Sequence, residues 1–549
     1  MPPGGVVIRR RIVLGSVLVV LFGVGWVAGR GSARAGDLYQ NLDLFVEILH
    51  RVQENYVDPV EPEKLITGAM KGMLRDLDPY SQFLDAGSYQ NLQATTHGSF
   101  GGIGVEVSIR DDYPTVISPI EGGPAWTLGI RSGDVITRIE GKSASGLAID
   151  EVAQLLRGPQ GSHVQVSVRR EGEEGEVEYS IERREIVTKS VRHAFVVEGR
   201  VGYLRLANFS ETSGGEVRAA LDRLKSEGAD RLVLDLRSNP GGLLDQAVDV
   251  AEQFVKQGTK LVSTRGRARG QDNLYFASEV HPRVDWPMVV LVDGASASAS
   301  EIVAGALQDL DRALVVGQTT FGKGSVQSVF PLRERTVALK LTTARYYTPS
   351  GRSIHKASAD QSQLLAELTD EDEGGGPDPA PAKADTGRPA FRTPSGRTVY
   401  GGGGIHPDVE MPRDTLPPLT NRVEGRGLAF RFANRWVNTH RSWRSSDALT
   451  PELWKDFGEF LTVEKVPFTE SALVAERPLL SRALRRELAR RLGGDAAATR
   501  VALEGDPAFE RALQVLSRAR TAREVFAVAG VPGTSRRTIT PGREPATVR

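Results

Sequence analysis

Met288-Val-Val-Leu-Val-Asp293-Gly-Ala-Ser-Ala-Ser298-Ala-Ser-Glu301-Ile302 is the stretch whose reading decides the fold. Its apolar, mostly β-branched opening reads as a buried strand. A turn of tiny side chains follows, and helical spacing then runs from Ser300 to Asp311. The alternation recurs upstream. VGYLRL precedes a helix predicted near Gly215 to Ser226, and RLVLDLR precedes one predicted near Leu243 to Gln257. Apolar strands alternating with longer amphipathic helices predict an α/β core whose sheet is covered by helices.

The turn also carries candidate chemistry. Small side chains leave room for a substrate backbone, and amides at a helix start favour developing negative charge. Ser298-x-x-Glu301 fits a capping box equally well, with the serine merely closing the helix. Taken alone, the segment favours the cap.

Further along, Gly317-Gln-Thr-Thr-Phe-Gly322-Lys323-Gly324-Ser325-Val326-Gln327 sets a lysine among glycines before a strand-like run. On a strand, Lys323, Ser325 and Gln327 project from one face. A lysine serves as a base near neutral pH when burial lowers its pKa. Gly317 to Lys323 also imitates a P-loop, but Gly324 stands where the magnesium-binding hydroxyl belongs, and an alternating β-type run follows instead of a helix.

SASASEI, followed 25 residues after Ser298 by the lysine of FGKGSVQ, resembles the carboxyl-terminal processing peptidases, or tail-specific proteases. The resemblance runs from about Leu38 to Pro412. It implies a serine endopeptidase with Ser298 as nucleophile, Lys323 as general base and Gln327 orienting the lysine. It further implies an oxyanion hole built from the Ala299 amide and the glycine turn of Asp235-Leu-Arg-Ser-Asn-Pro240-Gly241-Gly242, with Gly241 as the expected donor. By itself, Asn-Pro-Gly-Gly is simply a good turn.

Between about Ser99 and Arg184 the texture is β-rich and punctuated by glycine. Phe100-Gly101-Gly102-Ile103-Gly104 before a strand resembles the carboxylate-binding loop of PDZ domains, which capture a chain terminus as an added strand. The expected peptide-binding residues are Phe100, Gly101, Gly102, Ile103, Gly104 and Val105, with Val152 and Leu156 on a helix at Ile149 to Arg157.

The remaining chain gives the organisation. Arg9-Arg10-Arg11, an apolar run from Ile12 to Gly29 and Ala33-Arg34-Ala35 describe a secretory signal or an uncleaved membrane anchor over residues 1–35. The expectation is an exported protein, periplasmic or anchored in the cytoplasmic membrane facing outward. Residues 36–95 read as helical, 96–184 as PDZ-like, and 185–415 as the protease core. That core carries an acidic, Gly/Pro/Ala-rich insert near 356–392, which separates Tyr346–His355 from Gly404–Asp408. A helical C-terminal domain is expected over 416–533 and a disordered tail over 534–549. The fold class is therefore multidomain α/β (α+β).

Composition narrows the function. The 549 residues include 69 basic and 69 acidic side chains, which leaves no electrostatic footprint for nucleic acid. The absence of cysteine excludes a thiol nucleophile and a cysteine zinc site. The eight histidines are scattered without metal-ligand spacing, so neither metal nor cofactor is called for. The basic helix at Ser481 to Arg491 reads as a solvated face. Expected partners are protein or peptide substrates with accessible C-termini; membrane anchoring, a homo-oligomer and an accessory adaptor are all compatible. The alternative is a catalytically silent PDZ scaffold or membrane-anchored adaptor on a protease fold.

Overall fold

The computed structural model describes residues 38–170, 173–278, 284–332, 336–356, 388–412, 415–440 and 449–532. The expected export segment, most of the insert and the tail lie outside them. The chain packs as two units, residues 1–83 and 84–549. In the first, helices span 38–55 (α1) and Pro62–Arg75 (α2), the latter opened by a proline whose missing N–H is no loss at that position. Among the described residues, no helix is long and apolar enough to cross a membrane.

The second unit begins with helix α3 (Ala86–His97) and then a β-rich block. Strand β1 (Ser99–Gly102) pairs with β7 (Arg184–Val187) and forms a neck. Between them lie β2 (Val105–Arg110), β3 (Tyr113–Pro119), β4 (Val135–Ile139), helix α4 (Ile149–Leu156), β5 (His163–Arg169) and β6 (Glu176–Glu182). Sheet order is β2-β3-β4-β5-β6, so β2 is an edge strand. Alternating residues such as Val164, Val166 and Val168 bury one face against Val152 and Leu156 of α4.

The core sheet is built from β8 (Val191–Val197), β9 (Val201–Leu206), β10 (Arg231–Asp235), β13 (Met288–Val292), β14 (Leu314–Gly317) and β17 (Val409–Glu410), in that order. Only β8 runs antiparallel to its neighbour. Helices α5 (Ser213–Ser226), α6 (Leu244–Glu252) and α7 (Ala299–Asp309) cover one face. Every residue of α7 is buried, and Gly305 lets Ile405 approach so closely that a Cβ would lie 2.8 Å from its side chain. A second sheet places β16 (Val337–Tyr347) between β15 (Ser325–Leu332) and β11 (Lys260–Gly266), with β12 (Asn273–Phe276) beyond β11.

The helices after 416 form two packing groups. Helices α8 (Pro418–Gly425), α9 (Leu428–Thr439), α10 (Pro451–Val463) and the first half of α11 (Arg477–Leu503) share an aromatic-rich core around Phe432, Trp436 and Phe457. Helices α12 (Pro507–Arg518) and α13 (Glu524–Ala529) instead cover the other face of the core sheet, with Phe509 edge-on to Tyr203 at 5.6 Å between ring centroids. The final helices thus complete the α/β layer structure, because a sheet buried on both faces needs a second cover.

Candidate active site

In parallel sheets functional groups gather beyond the carboxyl ends of the strands. Here β10 runs into the 236–242 turn, and β13 runs into Asp293–Ser298. The Asp293 carboxylate joins the two turns, accepting from the Ser238 N–H at 2.9 Å and the Ala295 N–H at 3.1 Å. The Asn239 carbonyl accepts from the Ala297 N–H at 3.0 Å and the Ser300 hydroxyl at 2.9 Å.

Ser298 sits between buried neighbours at φ 56° and ψ −112°, a conformation costly for a residue with a side chain. Its hydroxyl makes no capping hydrogen bond to α7. A simple helix cap adopts relaxed extended angles and uses its side-chain oxygen; Ser298 departs on both counts, while the Glu301 half of the expected capping box is present.

The capping-box partner, Glu301, makes its expected bond to the Ser298 N–H and three more besides. Its fully buried carboxylate accepts from the Ser298 N–H at 2.8 Å, the Gly322 N–H at 2.8 Å, the Lys323 N–H at 2.9 Å and the Thr320 hydroxyl at 2.5 Å. The Tyr346 hydroxyl completes the clamp from the acceptor side, donating to the Ser298 carbonyl at 3.1 Å and the Lys323 carbonyl at 2.8 Å. The backbones of Ser298 and Lys323 are therefore tied by two buried side chains. Burial pushes the Glu301 carboxyl up to about 7 against the opposing pull of its four donors, and burial next to Glu301 raises the Tyr346 phenol. Sequence reasoning quoted both residues but missed this role. The capping box foresaw only the Glu301 bond to Ser298, and Tyr346 was named only as the start of the segment before the insert; the available signal was their proximity to the two motifs.

Lys323 is half-buried at the root of β15. Gln327 directs its amide Nε2 to Ser325 Oγ at 2.9 Å and Thr342 Oγ1 at 3.3 Å. A register shift between Val326 and Gln327 turns this side chain toward Thr342.

The oxyanion expectation needs correction in one respect. The Gly241 N–H donates to Asn239 Oδ1 at 2.9 Å, so in this conformation it is committed. What glycine supplies there is close approach: a Cβ on Gly241 would lie 2.8 Å from both Ala299 N and Ser298 Cβ, at a φ of +97°. Upstream, buried Asp235 would be raised by burial alone, but Arg237 and Arg205 hold it below the usual carboxylate range. Arg237 reaches on to Asp506 at 2.6 Å, so the start of α12 braces the same turn.

In the β-rich block, the predicted loop stands at the open end of edge strand β2, and the Arg157 guanidinium covers the Phe100 ring at 4.4 Å. Gly101 faces Gly158, whose N–H donates to the Gly101 carbonyl at 3.1 Å. Gly102 and Gly104 are buried beside it, and Val105 is half-buried on β2. Ile103, Val152 and Leu156, expected to set peptide specificity, lie within the block's apolar core: Val152 and Leu156 are on the face of α4 that packs on the sheet, and Ile103 sits in the link between β1 and β2. Around the insert, Tyr346–His355 and Gly404–Asp408 come back together: the Gly404 N–H donates to the Ile354 carbonyl at 2.9 Å, and the Ile405 N–H donates to Thr320 Oγ1 at 2.7 Å.

The family model described as peptidase family S41 matches residues 200–361, a PDZ domain model matches 115–170, and the N-terminal domain of the activating protease CtpB matches 29–88. The carboxy-terminal-processing protease of Bartonella bacilliformis is 44% identical over 323 residues, covering 58% of this chain and 73% of that protein. The carboxy-terminal processing protease CtpA of Bacillus subtilis is 33% identical over 366 residues, covering 66% and 77% respectively. Among solved structures, a photosystem II D1 C-terminal processing protease aligns at 28% identity with a TM-score of 0.35, over 70% of this chain and 96% of that one.

Proposed function

The chain belongs to the carboxy-terminal processing proteases of peptidase family S41, serine-type peptidases, and on that premise we propose that it cleaves exported proteins near their C-termini with a Ser298–Lys323 dyad. The observation that carries the proposal is the double clamp of Glu301 and Tyr346, which fixes a strained serine and a half-buried lysine on neighbouring backbones. Neutral Lys323 takes the Ser298 Oγ proton as Oγ attacks the peptide carbonyl, and the tetrahedral oxyanion is received by the Ala299 N–H. Collapse passes the proton from Lys323 to the departing amine. Water then releases the acyl group with Lys323 again as base. A second oxyanion donor from the 239–242 turn requires that turn to shift, since Gly241 is bonded to Asn239. Gln327 orients the lysine once substrate draws it from Ser325 and Thr342.

The PDZ domain supports capture of the substrate terminus, with the chain end at Phe100–Gly104 and the peptide added along β2. Export through residues 1–35 is part of the same proposal and rests on their signal-like pattern. The test is cleavage of a peptide with a free apolar C-terminus by wild type, Ser298→Ala and Lys323→Ala. Loss in both variants is expected. Full activity in either one removes the dyad, and a wild type that cleaves nothing would leave the silent-scaffold alternative standing.

A further inference from the structure

Three arginines gather on the second sheet, one of them paired with the start of the strand that follows Lys323. Paired residues on antiparallel strands share a face, and one row across the second sheet reads Ser325, Arg345, Arg265. Arg265, Arg267 and Arg345, with Thr342 and Thr343, line an open groove of about 340 Å³. Arg265 lies over the Tyr347 ring at 4.7 Å, which holds its guanidinium in place. Among the described residues, none of these three side chains forms an ion pair or a hydrogen bond. The carboxylate of Asp272, nearby in the same turn, accepts from the Gly266 N–H at 2.9 Å and is thereby engaged with backbone.

Gathering like charges costs free energy that a bound anion recovers. The groove borders the proposed catalytic segment through Thr342, which receives the Gln327 amide, as does Ser325 at the head of the arginine row. Strands lie about 5 Å apart and rise about 3.3 Å per residue. An extended peptide passing Lys323 therefore reaches the arginines about three to five residues from its scissile bond. At that range the natural anions are carboxylates of the same polypeptide, which arginine forks bind in paired geometry.

We infer that this groove is a substrate subsite for acidic side chains, selecting aspartate or glutamate about three to five residues from the bond cleaved. The inference rests on the dyad reading above. Its test compares kcat/KM for peptides that differ only in a Glu-Glu or Gln-Gln pair at that distance, each with a free or amidated C-terminus. Wild type should favour the acidic peptide by about tenfold, the effect of one charge-assisted hydrogen bond. The preference should shrink with added salt and survive amidation. Arg345→Gln and, in the exposed turn, Arg267→Gln should each bring the ratio toward one. The double charge reversal Arg267→Glu, Arg345→Glu should favour a Lys-Lys peptide. The inference is overturned by a wild-type ratio near one, by a ratio indifferent to both arginines, or by a preference that disappears on amidation, which would assign the anion to the chain terminus. Cleavage persisting in Ser298→Ala would instead strike the dyad, while the acidic-to-neutral ratio would still report on the groove.

Discussion

Around Ser298 the chain is held by polar groups buried away from water, whereas residues 99–187 are held by an apolar core and leave the edge of β2 open. The difference sets how each region responds to change. A buried polar clamp is steep, because removing one partner strands the others without hydrogen bonds. An apolar core yields more gradually, and an open edge keeps its N–H and C=O groups for a guest strand. Rigidity is thus concentrated at the proposed dyad, and adaptability at the edge proposed to take a substrate tail. The two regions are joined through the neck. The Thr188 N–H donates to the Gly98 carbonyl and the Glu211 N–H to the Thr96 carbonyl; the Phe209 N–H in turn donates to the Gly241 carbonyl at 3.0 Å. Under that path, Ser190, Ser210 and Ser213 share buried hydroxyl contacts of 2.7 and 2.8 Å.

The largest separation of the two regions should come from Ser298→Ala. Cleavage should fall by at least about 10⁴-fold, as for removal of other activated serine nucleophiles. Tail-peptide binding, measured by fluorescence anisotropy, should persist. Loss of binding together with cleavage would show that the regions do not act independently.

Glu301→Gln tests the clamp itself. An amide cannot accept from all four donors, and stranding one or two of them should cost about 10–100-fold in kcat. Stability carries a second signature with a definite sign. The folded carboxyl, raised to about 7 from an ordinary 4.5, favours its protonated form. Its contribution is fully present below pH 4.5 and is lost as pH rises through about 7. At about 1.4 kcal/mol per unit, the loss amounts to about 3 kcal/mol. Thermal melts from pH 4.5 to 8 should show this decline in wild type and not in Glu301→Gln. Parallel pH profiles for the two proteins would remove Glu301 from the account.

How much of this was legible beforehand follows the same division. The β13–turn–α7 unit was readable because Val and Leu runs, tiny turn residues and helical spacing are local signals. The Ser298, Lys323 and Gln327 set is a proposal that paired motifs made available from the start. Glu301 as a clamp was not readable, since its other donors, Thr320, Gly322 and Lys323, arrive only when β14 and its exit loop fold beside α7. Nor could Gly241 be assigned as a spent donor, because that depends on the side-chain orientation of Asn239. That Ile103, Val152 and Leu156 pack in the core was hidden for a related reason: the apolar face of a short helix and its adjoining loop reads the same whether it meets a sheet or a ligand. The covering role of α12 and α13 was hidden because an amphipathic helix does not name the sheet it will cover.

Tyr346→Phe should act more mildly than Glu301→Gln. It deletes a bridge to two carbonyls while leaving the ring in place, and carbonyls tolerate a missing partner better than amides do. A drop of about tenfold in kcat with KM little changed is expected, the mark of a group that positions the reacting pair. A rise in KM alone would move Tyr346 from positioning to substrate binding.

The smallest effect on cleavage and the largest on selection should come from Gly101→Ala. The added Cβ would lie 2.1 Å from the Gly158 carbonyl oxygen, and the Gly158 N–H is bonded back to Gly101. Both partners are backbone, so neither can swing aside, and relief requires the end of α4 to part from β1. That movement spreads the carboxylate loop while the clamp lies beyond the neck. Tail affinity should weaken by about tenfold or more, comparable to losing one or two hydrogen bonds to a carboxylate. Labelling of Ser298 by a fluorophosphonate, which needs no tail, should fall far less. If labelling collapses along with affinity, the neck transmits strain directly to the serine, and the open and rigid regions form one cooperative unit.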